Sequence, residues 1–588
     1  MNTPATAFVR PASLAGRHFS AIVVGAGING AGTFRDLCLQ GVDCLLIDKS
    51  DFGAGASSAP SRMIHGGLRY LENGEFALVA EATRERNLLL RNAMHLVRPL
   101  STVIPLSSWF GGLLGSALRF AGRSHAAGSR GLLAVALGLR LYDWLDRRQR
   151  VMPAHRIGRV PQGDRTLFSP RVRWMAQYFD AWITHPEWLI LELIADAGRD
   201  QPLSAAANHC RLAGCAGKTL LLHDEIDGQQ VAVSADVVIN ATGAWLDQCN
   251  ASISGPGDRV RGTKGSHLVL DHPQLRDALG GRMVYFEAAD GRVCIVYPFL
   301  DRVLVGSTDI PVEDPDHIAT DPAEIDYLLD VLREVFPQLA FDRKQIVYTY
   351  VGVRPLARSD ADQPGKISRD HAVVVDGPGG GRAIPVVSLV GGKWTTFRSL
   401  AEEAADHVLG LLGRPRLRST QQLAIGGASG LPAGTAAVAQ LTAQIAAASA
   451  IDLSRAHDLL SRYGSKAGAL ARRFAAAGDA RLVHLPDYSA AELRYLCRET
   501  GAVHLDDLVI RRTLLAIRGR LNGNALAEIA DVAAAAWGWS ASRRDAELQA
   551  CTARLRQHHH TRIASPHAGT PGPVDASLAA LPTFATPA

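Results

Sequence analysis

The sequence predicts an α/β protein: a Rossmann-type dinucleotide-binding domain, a second domain on a mostly antiparallel sheet, and a helical C-terminal domain. Three observations carry this. An apolar strand, Ile22-Val23-Val24, runs straight into Gly25-x-Gly27-x-x-Gly30. Residues 260 to 355 are rich in short strand-like runs, and from about 420 the pattern turns helical and alanine-rich.

The glycine turn leads into a helix expected over about Asn29 to Leu39. Such a turn aims backbone N–H groups and a helix N-terminus at a pyrophosphate, where a side chain would block approach. A second apolar run, Val42 to Ile47, ends in Asp48, placed to bond a ribose hydroxyl pair. A tight strand-to-helix turn without ligand is the plainer alternative. The strand, helix and acidic partner together favour a dinucleotide site. Asp236 to Asn240 is another apolar strand, ending at Ala241-Thr242-Gly243. Ser266 to Leu270, Arg292 to Tyr297, Val303 to Gly306 and Gln345 to Val351 read as the antiparallel substrate sheet. Ala372 to Val375 and Ile384 to Val390 are further strands, the second ending at Gly391-Gly392-Lys393.

These readings divide the chain into a loose N-terminal extension (1–18), an oxidoreductase-like region (19–415), a helical domain (420–557) and a disordered tail (558–588). Within 19–415 the nucleotide-binding segments are about 19–100, 160–250 and 352–415. Cap and substrate segments are about 101–159 and 251–351. The tail is rich in Pro, Ala and Thr, and His558-His559-His560 reads as a solvated stretch.

With 588 residues there is material for two or three domains. A net charge of +5 is modest for that length and argues against a nucleic-acid partner. Arginine outnumbers lysine 55 to 7, so a lone arginine says little and a retained lysine says more. The eight cysteines include no Cys-x-x-Cys pair and no His/Cys cluster at zinc spacing, so no metal site is expected and the thiols read as reduced in a cytoplasmic setting. No apolar run approaches the ~18 residues of a spanning helix, and the first 18 residues lack a signal-peptide block.

Between 107 and 150 short apolar stretches (Trp109 to Leu118, Leu132 to Leu139) alternate with Arg119, Arg123, Arg130, Arg140, Arg147, Arg148 and Arg150. That composition suits helices lying in a membrane interface beside anionic lipid. Cap helices with arginines on their wet face are the alternative.

Just past the second strand lies Ser57-Ser58-Ala59-Pro60-Ser61-Arg62-Met63-Ile64-His65-Gly66-Gly67-Leu68-Arg69-Tyr70. Paired glycines let backbone pack on a planar ring, and His65 titrates near working pH and could take a hydroxyl proton. Further blocks follow in order: Lys264-Gly265-Ser266-His267, Gly306-Ser307-Thr308-Asp309, Gly352-Val353-Arg354-Pro355-Leu356, Gly391-Gly392-Lys393-Trp394-Thr395-Thr396 and Asp506 to Thr513. With the glycine turn, the His65 segment and Asn240 to Gly243, they resemble the FAD-dependent glycerol-3-phosphate dehydrogenases of the bacterial aerobic and mitochondrial type across roughly residues 19–520.

That resemblance implies FAD as cofactor, held by Gly25, Gly27, Asn29, Gly30, Asp48, Ser57, Ser58, His65, Gly66, Gly67, Thr242, Gly243, Gly392, Lys393 and Thr395. It implies a phosphorylated polyol substrate met by Arg69, Tyr70, Arg354, Lys393 and, more weakly, Arg369, with His65 and Arg354 catalytic. The implied reaction is hydride transfer from carbon 2 of sn-glycerol 3-phosphate to flavin, with electrons passed to membrane quinone. The implied location is cytoplasmic, peripheral on the inner membrane; a homodimer is among the associations it allows. An FAD oxidase or dehydrogenase of the same fold acting on another small hydroxy or amino acid is one alternative. A catalytically silent flavin-binding paralogue is another. Three features depart from the family pattern. Arg62 stands where a lysine is usual, after an unusual Pro60; Thr184-His185-Pro186-Glu187 replaces a charged run after Trp182; and the 107–150 segment is long.

Overall fold

The computed structural model describes residues 7–563, apart from 110–130, 148, 256, 289, 359–370 and 380–381. A first sheet runs in the order His371–Asp376, Val386–Gly391, Gln230–Asn240, His18–Val24, Cys44–Ile47, Ala205–Ala207, with the hairpin Cys210–Ala216/Thr219–Asp224 branching off Gln230–Asn240. Its centre is parallel: Val24 pairs with Asn240 on one side and Ile47 on the other. Parallel strands covered on both faces need near-continuous apolar sequence, and Ile22, Val23, Val238 and Ile239 are fully buried. The helices Ile28–Leu39, Pro186–Asp200 and Phe397–Leu412 pack together beside the sheet. A Cβ at Gly32 would lie 2.8 Å from the Phe397 ring, so glycine sets that helix spacing.

The second sheet is antiparallel save for one parallel pair, Val97–Leu106 with Met283–Glu287. Its longest ladder joins Val260–Leu270 to Ile346–Ala357 and sets Thr263 opposite Arg354. The strand Trp174–Ile183, expected within a nucleotide-binding segment, belongs to this sheet instead, paired along its length with Val97–Leu106. Its alternating pattern gave no hint of which sheet it would join.

The N-terminal residues are not loose where they are described. Leu14 is fully buried, the Val9 amide donates to Ala206 O (2.9 Å), and Arg10 pairs with Asp224 (2.5 Å).

From Thr435 onward the described residues form six α-helices, four of them opened by a side-chain cap: Asp452, Ser489, Asn522 and Ser540 each accept a backbone N–H three residues on. Between them Asp507–Arg512 forms a wide helical turn whose arginines reach the loop after Asp48. Arg511 Nε and Arg512 Nη1 donate to Asp51 Oδ2 at 2.5 and 2.6 Å. All three side chains are buried, so removing one strands an opposite charge, a loss of about 3–5 kcal/mol in comparable sites. The histidine triplet is solvated only in part: His558 and His560 are exposed, His559 is not. His559 stacks on Tyr348 (4.5 Å between centroids) and bonds Thr349 O, because the last helix continues to His559 and docks on Ile346–Ala357. Residues 564–588 lie outside the described ones, as do most of the Trp109 to Leu118 stretch and Arg119, Arg123, Arg130 and Arg148.

Candidate active site

Strand His18–Val24 ends at Gly25, whose φ of +99° lies in the left-handed region; a Cβ there would sit 2.7 Å from Ala241 O. A Cβ on Gly30 would sit 1.8 Å from Gly25 O. The turn therefore closes only with glycine at both places. Asp48, at the tip of the neighbouring strand, accepts N–H groups from Ala26 (2.7 Å) and Ser50 (2.9 Å), and Ser57 Oγ accepts the Ile28 N–H (2.9 Å). Burial pushes the Asp48 carboxyl up to about 6, only partly opposed by those two bonds. Hydroxyl donors on a bound ribose would supply what it lacks. Asn29 Oδ1 is likewise buried with no hydrogen-bond partner among the described residues.

These groups line a cavity of about 1740 Å³ that runs from the glycine turn to the second sheet. Gly25, Gly27, Asn29, Asp48, Ser57, Ser58, Thr242 and Gly243 lie along the wall nearest the first sheet, and Gly392 and Thr395 with them. His65, Gly67, Arg69, Tyr70, Lys393 and Arg354 line it as well. Gly30 and Gly66 do not reach it; they are packing positions. Arg369 lies outside the described residues.

Segment 57–70 and segment 391–397 are knitted together. The His65 amide donates to Thr395 Oγ1 (3.3 Å), and Trp394 Nε1 donates to Ser57 O (3.2 Å). Gly67 has φ +78°, and a Cβ there would lie 2.3 Å from the Tyr70 ring. Lys393 Nζ sits 3.8 Å over the centre of that ring, 6.4 Å from which lies the His65 imidazole.

Arg354 lies flat across Gly265, where a Cβ would clash with its guanidinium at 2.1 Å. Nη1 donates to Asp309 Oδ1 (3.1 Å) and Nη2 to Ser307 Oγ (2.8 Å). The arrangement is a glycine-lined cradle with Asp48 at its edge, continuing into a chamber whose wall includes His65, Arg69, Arg354 and Lys393. A dinucleotide of FAD's kind fits the cradle end, and an anionic substrate fits the other.

Residues 20–398 match the FAD dependent oxidoreductase family, and residues 418–544 match the C-terminal domain of alpha-glycerophosphate oxidase. The chain is 33% identical over 560 residues to a glycerol-3-phosphate dehydrogenase of Synechocystis sp., covering 90% of this chain and 95% of that protein. It belongs to the FAD-dependent glycerol-3-phosphate dehydrogenase family. Its cofactor is FAD. A D-erythritol 1-phosphate dehydrogenase of Brucella abortus is 29% identical over 84% of this chain and 93% of its own length. In fold the chain matches the crystal structure of the glycerol-3-phosphate dehydrogenase from Bacillus halodurans complexed with FAD, with a TM-score of 0.71 at 19% identity over 92% of this chain and 96% of that one.

Several residues of this family member's site were quoted in the sequence blocks above but given no role there. Ser307 and Asp309, which orient Arg354, lie about 45 positions away in sequence. His267 lines the same cavity, stacked on Tyr350 (4.7 Å, 7° between planes) with Nε2 on Ser61 Oγ (2.7 Å). Burial, then the charges of Arg354 and Arg62, push its pKa to about 3, so it stays neutral. One cluster resembles a metal site without being one. Asp51, His209 and Asp507 bring ligand atoms within 4.8 Å of one another, but Arg511 and Arg512 already hold both carboxylates.

Proposed function

We propose that the protein oxidises sn-glycerol 3-phosphate to dihydroxyacetone phosphate and passes the electrons to membrane quinone. The observation that carries this reading is the gathering of Arg69, Arg354 and Lys393 with His65 on the wall of the cavity that the FAD cradle opens into. A phosphate dianion leaving water needs several cationic donors, and charge-assisted bonds contribute about 1.5–3 kcal/mol each. Arg offers a fork for the phosphate oxygens, while Lys393 offers a point charge seated on Tyr70. Bound FAD supplies the acceptor for the hydride that leaves carbon 2. His65 takes the hydroxyl proton, and Arg354 stabilises charge on the developing carbonyl oxygen. Asp309 and Ser307 hold the Arg354 fork in plane for that task.

A peripheral position on the inner membrane is supported by the helix Leu132–Asp146. Its inward face buries Leu132, Val135, Leu139 and Tyr142. Outward, at helical spacing, stand Leu133, Leu137 (69% exposed), Arg140, Trp144 (54% exposed) and Arg147, whose guanidinium lies 5.1 Å over Trp144. Apolar and aromatic side chains interleaved with arginine suit an anionic lipid surface. Among the described residues no single helix is long and apolar enough to cross a membrane.

The Brucella relative keeps a second reading in view, a four-carbon polyol phosphate as substrate. The test is anaerobic bleaching of the bound flavin by sn-glycerol 3-phosphate, D-erythritol 1-phosphate and glycerol. Bleaching by sn-glycerol 3-phosphate at the lowest concentration is expected. Bleaching by the erythritol ester alone selects the second reading, and bleaching by neither overturns both. Hydrogen peroxide formed in stoichiometric yield in air would replace quinone with oxygen as acceptor.

A further inference from the structure

Behind His65 lies a buried polar network that the proposed chemistry does not use. The Gly66 N–H, the peptide next to His65, donates to both Tyr142 Oη (3.0 Å) and Asp180 Oδ1 (3.1 Å). The Tyr142 hydroxyl donates in turn to Asp180 Oδ1 (2.7 Å). Arg86 Nη1 closes the ring, donating to Tyr142 Oη (2.7 Å) and Asp180 Oδ1 (2.9 Å). On its far side Arg86 pairs with Asp146 (3.1 Å), which also accepts from Asn87 Nδ2 (2.6 Å). Arg86, Asn87, Tyr142 and Asp180 are each at most 2% exposed.

Such a ring is costly to bury unless every member is satisfied, and one whose members serve a single peptide rigidifies that peptide. The packing agrees. A Cβ on Gly66 would lie 2.2 Å from Tyr142 Oη and 2.5 Å from Thr83 Cγ2, so the backbone is pressed against the ring. The preceding amide is held too, the His65 N–H donating to Thr395 Oγ1 (3.3 Å). The imidazole of His65 therefore hangs from a backbone held at two consecutive amides, by Thr395 through the His65 N–H and by Tyr142 and Asp180 through the Gly66 N–H.

We propose that Tyr142 and Asp180, braced by Arg86, are positioning residues that hold the Gly66 peptide and through it fix where His65 stands in the cavity. Tyr142 sits on Leu132–Asp146, the helix whose opposite face is the exposed Leu137/Trp144 stripe, so a site far from the chemistry in sequence sets its geometry. Asp180 comes from Trp174–Ile183, the strand that joined the second sheet. The catalytic segment is thus tied to both elements at once. This inference rests on the reading of His65 as base, and its test separates the two.

Tyr142→Phe removes one hydroxyl and keeps the ring packed against Tyr178. With FAD-loaded protein, amide hydrogen exchange in residues 63–70 should rise about tenfold, the equivalent of one buried hydrogen bond, while exchange in residues 20–30 stays unchanged. Flavin reduction by sn-glycerol 3-phosphate should fall in kcat by about tenfold with KM within twofold of the parent. Asp180→Asn, which keeps the Tyr142 hydroxyl but loses an acceptor charge, should show the same split. Exchange in 63–70 equal to the parent's in Tyr142→Phe overturns the proposal, as does a KM that rises as far as kcat falls. A parent protein whose flavin is not bleached refutes the functional reading, and the exchange measurement then still decides whether Tyr142 holds the segment.

Discussion

Replacing Arg354 by alanine probes the anionic end of the site most directly. Its guanidinium offers Nη1 and Nη2, already committed on one edge to Asp309 (3.1 Å) and Ser307 (2.8 Å). The side chain is 26% exposed, so part of its Coulombic effect is screened by water in the cavity. We count one charge-assisted bond to the substrate, about 1.5–3 kcal/mol, which is roughly 10- to 150-fold in kcat/KM at 1.4 kcal/mol per decade. A second effect pushes the same way. Without Arg354, the Asp309 carboxylate loses one cationic partner, and its charge then adds to the loss of affinity for an anion. Asp309→Asn in the Arg354→Ala background should then recover part of the loss. The assay is stopped-flow flavin reduction under anaerobic conditions across substrate concentration, with FAD stoichiometry measured on the same preparation. Loss of the phosphate bond should raise KM and loss of the charge at the developing carbonyl oxygen should lower kcat, while FAD occupancy stays full because the cradle residues lie at the other end of the cavity. A KM within threefold of the parent with full FAD occupancy refutes the anchoring role.

Three further outcomes are expected. His65→Ala should slow anaerobic flavin reduction by about 10² or more without lowering FAD content, as general bases typically contribute 10²–10⁴-fold; reduction at the parent rate removes His65 as base. Asp48 carries a pH signature, because its folded carboxyl keeps a proton up to about 6 against an ordinary value of 3.8. Between those values the unfolded chain ionises first, so this group's contribution to the stability of FAD-free protein falls as pH rises from about 4 to about 6. Asp48→Asn should flatten that part of the thermal-melt profile, and a profile identical to the parent's contradicts the assignment. Leu137→Asp together with Trp144→Glu should abolish co-sedimentation with vesicles containing anionic lipid while soluble-acceptor activity persists; undiminished binding places the lipid contact elsewhere.

What could be read from sequence was what sits in contiguous residues. The glycine turn, Asp48 and the parallel strands at Ile22 to Val24 and Asp236 to Asn240 all signal through local periodicity, and the structure has strands there. Arg354 stood out only as part of a block, while its partners Ser307 and Asp309 come from a loop brought near by the register that sets Lys264 opposite Val353. Tyr142 and Asp180 were invisible for the same reason: a tyrosine on an apolar helix and an aspartate in a strand look ordinary until folding aims both at one amide. The N-terminal residues and His559 were misread because isolated contacts dock them, Val9, Arg10 and Leu14 in one case and the His559 ring in the other, and such contacts leave no periodic trace.

The departures from the family pattern can now be weighed together. Arg62 and the Thr184–Glu187 stretch are two of these departures, and the second bears on which small hydroxy compound is the substrate. In the fold they touch: Arg62 Nη1 donates to Thr184 O (2.7 Å), and Nη2 pairs with Glu187 Oε1 (3.2 Å), both side chains buried. His185, pushed down to about 3 chiefly by burial, bonds Arg511 O at the seam with the C-terminal helices. A buried cation and a buried carboxylate stabilise only as a pair, since either alone leaves an unopposed charge. Two changes that each look like altered chemistry are therefore one change in how the His65 segment is anchored to the helix Pro186–Asp200. The charge of Arg62 is met by Glu187 within the protein, so it adds no free cation for a substrate to meet. Arg69, Arg354 and Lys393, which line the same cavity, stand at positions that match the family pattern.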